Sequence, residues 1–361
     1  MDGILILEDG RTFRGEAFGA QTTRVGEAVF NTAHTGYQEV LTDPSYREQV
    51  VTMTVPHVGN YGVNEEDPES SQVHVAGFVA RRFARLPSSW RANGGLHGYL
   101  ERHGIPGLHG IDTRALVRHL RTAGAMKCVI STDGTDVDAL KAKLQAWPGM
   151  EGRALATEVS VTEAYVAHDP PNPAARFALI DGGCKTNIIR LLKAQNCFVR
   201  VHPITDSAEE WMRDVDGLFF SNGPGDPAAL PEVVEQIRSV IGKKPAVGIC
   251  LGHQLLALAL GAQTYKLKFG HRGYNHPVRD ERTGKVEITS QNHGFAVDPE
   301  SLSAIGATVT HVNLNDGTVS GFKHADHRVF AVQYHPEAAP GPHDSRPLIH
   351  EFVTFVAGDA Q

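Results

Sequence analysis

The four cysteines of this 361-residue chain, Cys128, Cys184, Cys197 and Cys250, include no Cys-x-x-Cys pair. They are too sparse for a disulfide scaffold, which fits a reducing compartment. Metal signatures are also missing. Of the nineteen histidines, none stands in a His-Glu-x-x-His pattern, and His324-Ala-Asp-His327 alone carries no metal expectation. No apolar run approaches the ~18 to 20 residues a membrane span needs. The N-terminus, Met1-Asp-Gly-Ile-Leu-Ile-Leu-Glu8, has an acid before a short apolar run and does not read as a signal peptide. An excess of positive charge is lacking too: the net charge of -7 argues against nucleic acid as the main partner. A phosphate loop is absent. Gly182-Gly-Cys-Lys185-Thr186 ends like one, but Cys184 replaces the glycine before the lysine and the upstream glycine is missing. That segment reads as a strand-to-helix turn, and nothing in the chain is expected to bind and cleave ATP. The expectation is a cytoplasmic protein with no metal, no membrane and no nucleic acid.

What is present is an ordinary globular composition, 41% hydrophobic and 21% charged, with length for about two domains. Residues 1–150 read as a mixed α and β domain. It begins with a hairpin through Asp9-Gly10, and Asp112 caps a helix over Thr113 to Thr122. The three prolines of His168-Asp-Pro-Pro-Asn-Pro173 exclude helix and central strand, so residues 151–175 read as a linker. From 176 to 361 strands and helices alternate, the α/β pattern of a mostly parallel sheet flanked by helices. Ligands on such sheets bind at the C-terminal ends of the strands.

One of those ends organises the rest. Ala246 to Ile249 is a strand-length apolar run, and Leu255, Leu256, Ala259 and Leu260 repeat at helical spacing. Between them lies Gly248-Ile-Cys250-Leu-Gly252, a cysteine with a glycine two residues to either side. That is the pattern of a nucleophile elbow, which lifts one side chain out of a sharp strand-to-helix turn. A helix N-terminus there favours thiolate over thiol. The plainer alternative is a buried structural cysteine. Ser221-Asn-Gly-Pro-Gly-Asp-Pro227 also follows an apolar strand. It is either a tight turn or, through the Gly223 N–H together with that of Leu251, a pair of oxyanion donors.

Val332-Gln-Tyr-His335-Pro-Glu337 supplies a candidate base. Proline after His335 favours an extended backbone. Residues i and i+2 then share a face, so Glu337 reaches the imidazole and fixes its tautomer. Alone, such a His-x-Glu is more often a solvated strand end. Beside an elbow cysteine, the triad reading is preferred.

These three segments resemble the class I (triad) glutamine amidotransferases, over about Phe177 to the C-terminus. Lys268-Phe-Gly-His-Arg-Gly-Tyr-Asn-His-Pro-Val278, Ser290-Gln-Asn-His-Gly-Phe-Ala-Val297 and Pro336-Glu-Ala-Ala-Pro-Gly-Pro-His-Asp344 resemble one branch, the small subunits of carbamoyl phosphate synthetases. So do Thr35-Gly-Tyr-Gln-Glu39, Leu41-Thr-Asp-Pro-Ser-Tyr46 and Ser70-Ser-Gln-Val73 in the leading domain. The resemblance implies Cys250 as nucleophile, His335 as base and Glu337 as its orienter. It further implies L-glutamine contacts from Ser45, Gly223, Gly225, Leu251, Gln254, Asn292, Gly294 and Phe295. Tyr334 departs from the glycine of some relatives. The implied activity is hydrolysis of glutamine through a thioester. Ammonia would pass to a large subunit that makes carbamoyl phosphate from bicarbonate and ATP, with Mg or Mn, for arginine and pyrimidine biosynthesis. No cofactor is implied in this chain, and a heterodimer is the expected minimum. The alternatives are the glutaminase subunit of another synthetase and a non-catalytic regulatory subunit.

Overall fold

Short β-branched and apolar strands close the leading part of the chain into a barrel. In the computed structural model, which describes residues 2–358, the barrel order is Asp2–Leu7, Thr12–Gly19, Pro106–His109, Gly77–Val79, Gln49–Met53, Thr23–Asn31 and Met126–Ser131, which returns to Asp2–Leu7. The expected hairpin is there: Ile6 pairs with Thr12, and Gly10 takes φ 88° at the turn, a conformation that favours glycine. Three successive pairings, from Thr23–Asn31 through Gln49–Met53 and Gly77–Val79 to Pro106–His109, are parallel. Leu5, Leu7, Val50, Val79, Leu108 and Ile130 fill the interior with Leu116 and Leu120. The last two come from the helix Thr113–Ala123, which Asp112 caps by accepting the Ala115 N–H. This first unit takes the described residues up to Glu151 together with Lys268–Arg272. Backbone bonds hold that second segment: the Ala125 N–H donates to Lys268 O and the Thr32 N–H to Arg272 O.

The second unit takes Gly152–Leu267 and the described residues from Gly273 onward. Its sheet runs Tyr165–His168, Phe198–Pro203, Arg176–Asp181, Gly217–Phe220, Ala246–Ile249, Val329–Val332, Val319–His324, Thr308–Asn313, Thr264–Asp280 and Val286–Val297. The five strands from Phe198–Pro203 to Val329–Val332 are parallel. Ala246–Ile249 and Val329–Val332 are buried at every position. This is why they read as unbroken apolar runs rather than alternating ones. One core, with Trp211, Ile237, Leu255 and Leu256, covers one face; another, with Ile188, Leu192, Phe352 and Val353, covers the other.

Residues 151–175, expected as a connector, hold a short helix, Ala156–Val159, and the edge strand Tyr165–His168. That strand pairs antiparallel with Phe198–Pro203, and the prolines follow it. A four-residue edge strand exposed on one side has too little apolar content to stand out in the sequence.

Candidate active site

The parallel strands bring three loops to one end of the sheet. Ala246–Ile249 passes into the helix Leu251–Leu260 through Cys250, whose φ of 55° and ψ of -103° lie where a side chain is strained by about 1 to 3 kcal/mol. The elbow glycines are compelled by contact. A Cβ on Gly252 would stand 2.1 Å from Phe220 O, and one on Gly248 would stand 2.8 Å from Gly252 C. The Gly252 N–H donates to Ser221 O at 3.0 Å and the Gln254 N–H to Cys250 O at 3.2 Å. Between these two stands the N–H of Leu251.

The loop after Gly217–Phe220 packs against the loop after Arg176–Asp181. A Cβ on Gly223 would meet Gly182 O at 2.0 Å and Leu251 Cδ2 at 2.8 Å. Ser221 Oγ accepts the Gly182 N–H at 3.0 Å, and Asn222 Oδ1 accepts the Lys185 N–H at 3.0 Å. Gly225 has φ 94°, and its Cβ position lies 2.6 Å from Arg153 O. Asp226 then accepts the N–H groups of Gly152 and Ala228, each at 3.0 Å. These contacts fix the loop from both sides.

His335 and Glu337 follow the strand Val329–Val332, the neighbour of the elbow strand. His335 Nδ1 lies 2.6 Å from Glu337 Oε1, with both side chains buried. The His335 N–H donates to Ser290 O at 2.9 Å, which fixes the segment against Val286–Val297. The Cys250 thiol donates to Asn292 O across 3.6 Å and also interacts with the His335 ring.

Charge on this pair is governed by competition. Burial pushes the His335 pKa down, but the Glu337 carboxylate and the Cys250 thiol outweigh it and raise the ring from 6.5 to about 10. Burial pushes Glu337 up, but Lys185 and His335 together bring its carboxyl down to about 2. The pair is therefore biased toward an imidazolium beside an ionised carboxylate. Two other buried imidazoles and two buried thiols are held in their neutral forms. Burial lowers His253 to about 3 and His311 to about 4, while it raises Cys197 to about 12 and holds Cys128 well above the ordinary thiol value.

Lys185 is the functional-site residue that the sequence reading missed. Set aside above as part of a strand-to-helix turn, it is buried with its Nζ 3.0 Å from Glu337 Oε1, and it also donates to Ala338 O. Asn187 Nδ2 donates to Glu337 O at 2.5 Å. The lookalike phosphate loop is thus a support for the acid of the His-Glu pair. The only sequence signal was a lysine at the C-terminal end of a parallel strand.

The remaining expected residues fall in different settings. Gly223, Gly225 and Gly294 are partly exposed, whereas Leu251, Gln254, Asn292 and Phe295 are buried. Gln254 Nε2 is committed to Phe295 O at 2.8 Å and Gln333 Oε1 at 2.9 Å. This leaves its Oε1 as the group to offer a ligand. Ser45 belongs to the first unit, where it is buried in the turn Pro44–Tyr46 and its N–H donates to Asp43 Oδ1 at 2.9 Å. Among the described residues no group of three or more His, Cys, Asp or Glu could hold a metal ion.

Two families match the chain: the carbamoyl-phosphate synthase small chain, CPSase domain, over residues 5–130, and glutamine amidotransferase class-I over residues 178–355. Similarity to individual proteins runs end to end. The carbamoyl phosphate synthase small chain of Bacillus caldolyticus is 52% identical, over 98% of this chain and 96% of its own length. That of Solidesulfovibrio magneticus is 50% identical, over 99% and 98%. The pyrimidine-specific small chain of Bacillus subtilis is 48% identical, over 98% and 95%.

Proposed function

The chain belongs to the carbamoyl-phosphate synthase small chains, and from that membership we propose that it hydrolyses glutamine for a large partner chain. The observation that carries this reading is the strained Cys250 beside the buried His335–Glu337 pair. In the proposed reaction the Cys250 sulfur attacks the glutamine side-chain amide carbon. As it attacks, its proton passes to His335, whose charge Glu337 stabilises. Negative charge then gathers on the amide oxygen, and the N–H groups of Gly223 and Leu251 are assigned to receive it. His335 gives its proton to the departing nitrogen, ammonia leaves, and a γ-glutamyl thioester remains on Cys250. Water attacks the thioester as His335 takes the water's proton. The tetrahedral adduct collapses to free glutamate, and the thiolate leaves beside the imidazolium.

Ser45, Gly225, Gln254, Asn292, Gly294 and Phe295 are assigned to hold the substrate. An amide acceptor such as Gln254 Oε1 suits the ammonium head, and backbone at Gly294 is open to close approach. The large chain is assigned the ATP, metal and bicarbonate chemistry that yields carbamoyl phosphate.

One substitution tests the division of labour. In the assembled complex, Cys250→Ser is expected to abolish glutamine-dependent carbamoyl phosphate synthesis and spare synthesis from ammonium salts. A hydroxyl is far harder to deprotonate than a thiol. Near-normal glutamine-dependent activity would remove Cys250 as nucleophile. Loss of ammonia-dependent activity in an intact complex would remove the assignment of ATP chemistry to the partner.

A further inference from the structure

Among the described residues, two large apolar side chains of the first unit are far more exposed than any other. Trp90 is 94% exposed and Leu86 is 85% exposed, while none of the other exposed large apolar residues exceeds 49%. Both lie on the loop between the strand Arg82–Phe83 and the helix Leu96–Arg102. This loop is held in place. The Ser88 N–H donates to Asn60 O at 2.8 Å, the Asn93 N–H to Val63 O at 2.8 Å, and the Val63 N–H to Gly94 O at 2.9 Å. Gly62, with φ 70°, packs so closely beneath it that a Cβ would lie 2.7 Å from Ala92 Cβ and 2.9 Å from Pro87 Cβ.

The residue beside Trp90 is clamped as well. Arg91 reaches Asp67 with both arms of its guanidinium, at 2.6 and 3.2 Å, and Glu66 at 3.2 Å. Such a two-pronged pair fixes direction as well as charge. The indole is therefore presented to solvent on an ordered backbone, so little further ordering is needed on binding. An exposed, pre-positioned tryptophan is the residue type that most often dominates a protein interface.

Charge narrows the choice of partner. Residues 81–95 contain Arg81, Arg82, Arg85 and Arg91 and no acid, in a chain of net charge -7. Arg91 is neutralised by Asp67 and Glu66, but Arg82 and Arg85 are exposed. A two-fold contact between copies of this chain through this loop would bring two copies of the same basic segment into one interface. A different chain with an apolar pocket rimmed by carboxylates would meet both features.

We propose that this loop docks the large partner chain, with the Trp90 indole seated in an apolar pocket and Arg82 and Arg85 against acidic side chains at its rim. The proposal rests on the reading of this chain as one member of a two-chain synthetase. It adds where the two meet.

The three tryptophans make the test clean, because Trp147 is 8% exposed and Trp211 fully buried. The full chain is produced with 5-hydroxytryptophan, which is excited where ordinary tryptophan does not absorb, and is mixed with the unlabelled large chain from the same source. Acrylamide is expected to quench Trp90 in the free chain and to lose that access in the complex. Trp90→Ala is expected to weaken association on the order of 30-fold, with Leu86→Ala weaker in effect. Arg82→Glu with Arg85→Glu should slow association most at low salt. Circular dichroism and the glutaminase rate of the free variants should match those of the parent chain. A complex in which acrylamide still quenches Trp90, or in which Trp90→Ala binds within twofold of the parent, overturns the docking surface and leaves the two-chain reading intact. Failure of the parent chain to bind the large chain overturns both. Self-association of the parent that Trp90→Ala abolishes overturns the choice of occupant.

Discussion

Lys185 Nζ and His335 Nδ1 converge on a single oxygen, Glu337 Oε1, at 3.0 and 2.6 Å, with all three side chains buried. Two cations thus share one carboxylate, and each modulates the other through it. The carboxylate raises the His335 pKa while the ammonium lowers it.

Replacing the ammonium should free the imidazole to hold its proton longer. Lys185→Met is expected to move the alkaline limb of kcat/KM for glutamine hydrolysis to higher pH. It should also cost about 3 kcal/mol of stability, the low end for one partner lost from a buried pair, since His335 still balances Glu337. A pH–rate profile with a urea titration checks both, and a limb that stays put or moves down removes the electrostatic role of Lys185.

Glu337→Gln should act in the opposite sense. Without the carboxylate, burial dominates and the ring pKa falls, so the alkaline limb should move to lower pH. Stability follows with a definite sign. His335 is raised from 6.5 to about 10, so its contribution is whole below ~6.5 and is lost as pH climbs through about 10. Glu337 is lowered from 4.5 to about 2, so its contribution is present above ~4.5 and is lost as pH falls through about 2. The unfolding free-energy difference between parent and Glu337→Gln should therefore be largest between pH ~4.5 and ~6.5. A difference that grows from pH 7 to 10 would contradict the raised imidazole.

The elbow should fail on adding one carbon. The 2.1 Å approach of a Gly252 Cβ to Phe220 O pits backbone against backbone, with no flexible end to yield. Gly252→Ala is expected to lose several kcal/mol of stability and most glutaminase activity. Gly284→Ala, where nothing lies within 4 Å but φ is 75°, should cost only about 1 kcal/mol from its backbone conformation. Thermal unfolding of the two variants side by side makes the comparison, and equal losses would remove the steric demand at Gly252, whose helical backbone carries no positive φ.

Ser45 carries the assignment that reaches furthest from the elbow in sequence. Ser45→Ala is expected to raise the glutamine KM by roughly tenfold to a hundredfold, for a hydrogen bond to a charged head group worth ~1.5 to 3 kcal/mol, with kcat falling less. An unchanged KM would leave the first unit without a role in substrate binding.

The elbow was legible because glycines at fixed spacing around one cysteine encode a local steric demand, and Gly248 and Gly252 meet that demand within a few residues. His335 and Glu337 were legible for the same reason, being two residues apart. Lys185 was not, since its partner lies 152 residues away and no local pattern records a lysine whose charge is to be buried. The barrel was hidden differently. Its parallel pairings join strands as short as Gly77–Val79, and nothing in three residues specifies a neighbour. The exposure of Trp90 was equally silent, because an indole reads as core until the loop beneath it is seen.

The shared carboxylate also carries information about timing. Lys185 leaves an early strand of the parallel sheet, Cys250 a middle one, and Glu337 the last of them to be synthesised. A chain emerging from the ribosome cannot assemble the charge arrangement until residue 337 is out and Val329–Val332 has docked beside the elbow strand. Until then Cys250 stands without the His335–Glu337 pair proposed as its base and orienter. On the proposed mechanism a nascent chain should not consume glutamine before that point, and alkylation of Cys250 by a glutamine analogue should serve as a clock for the completion of the sheet.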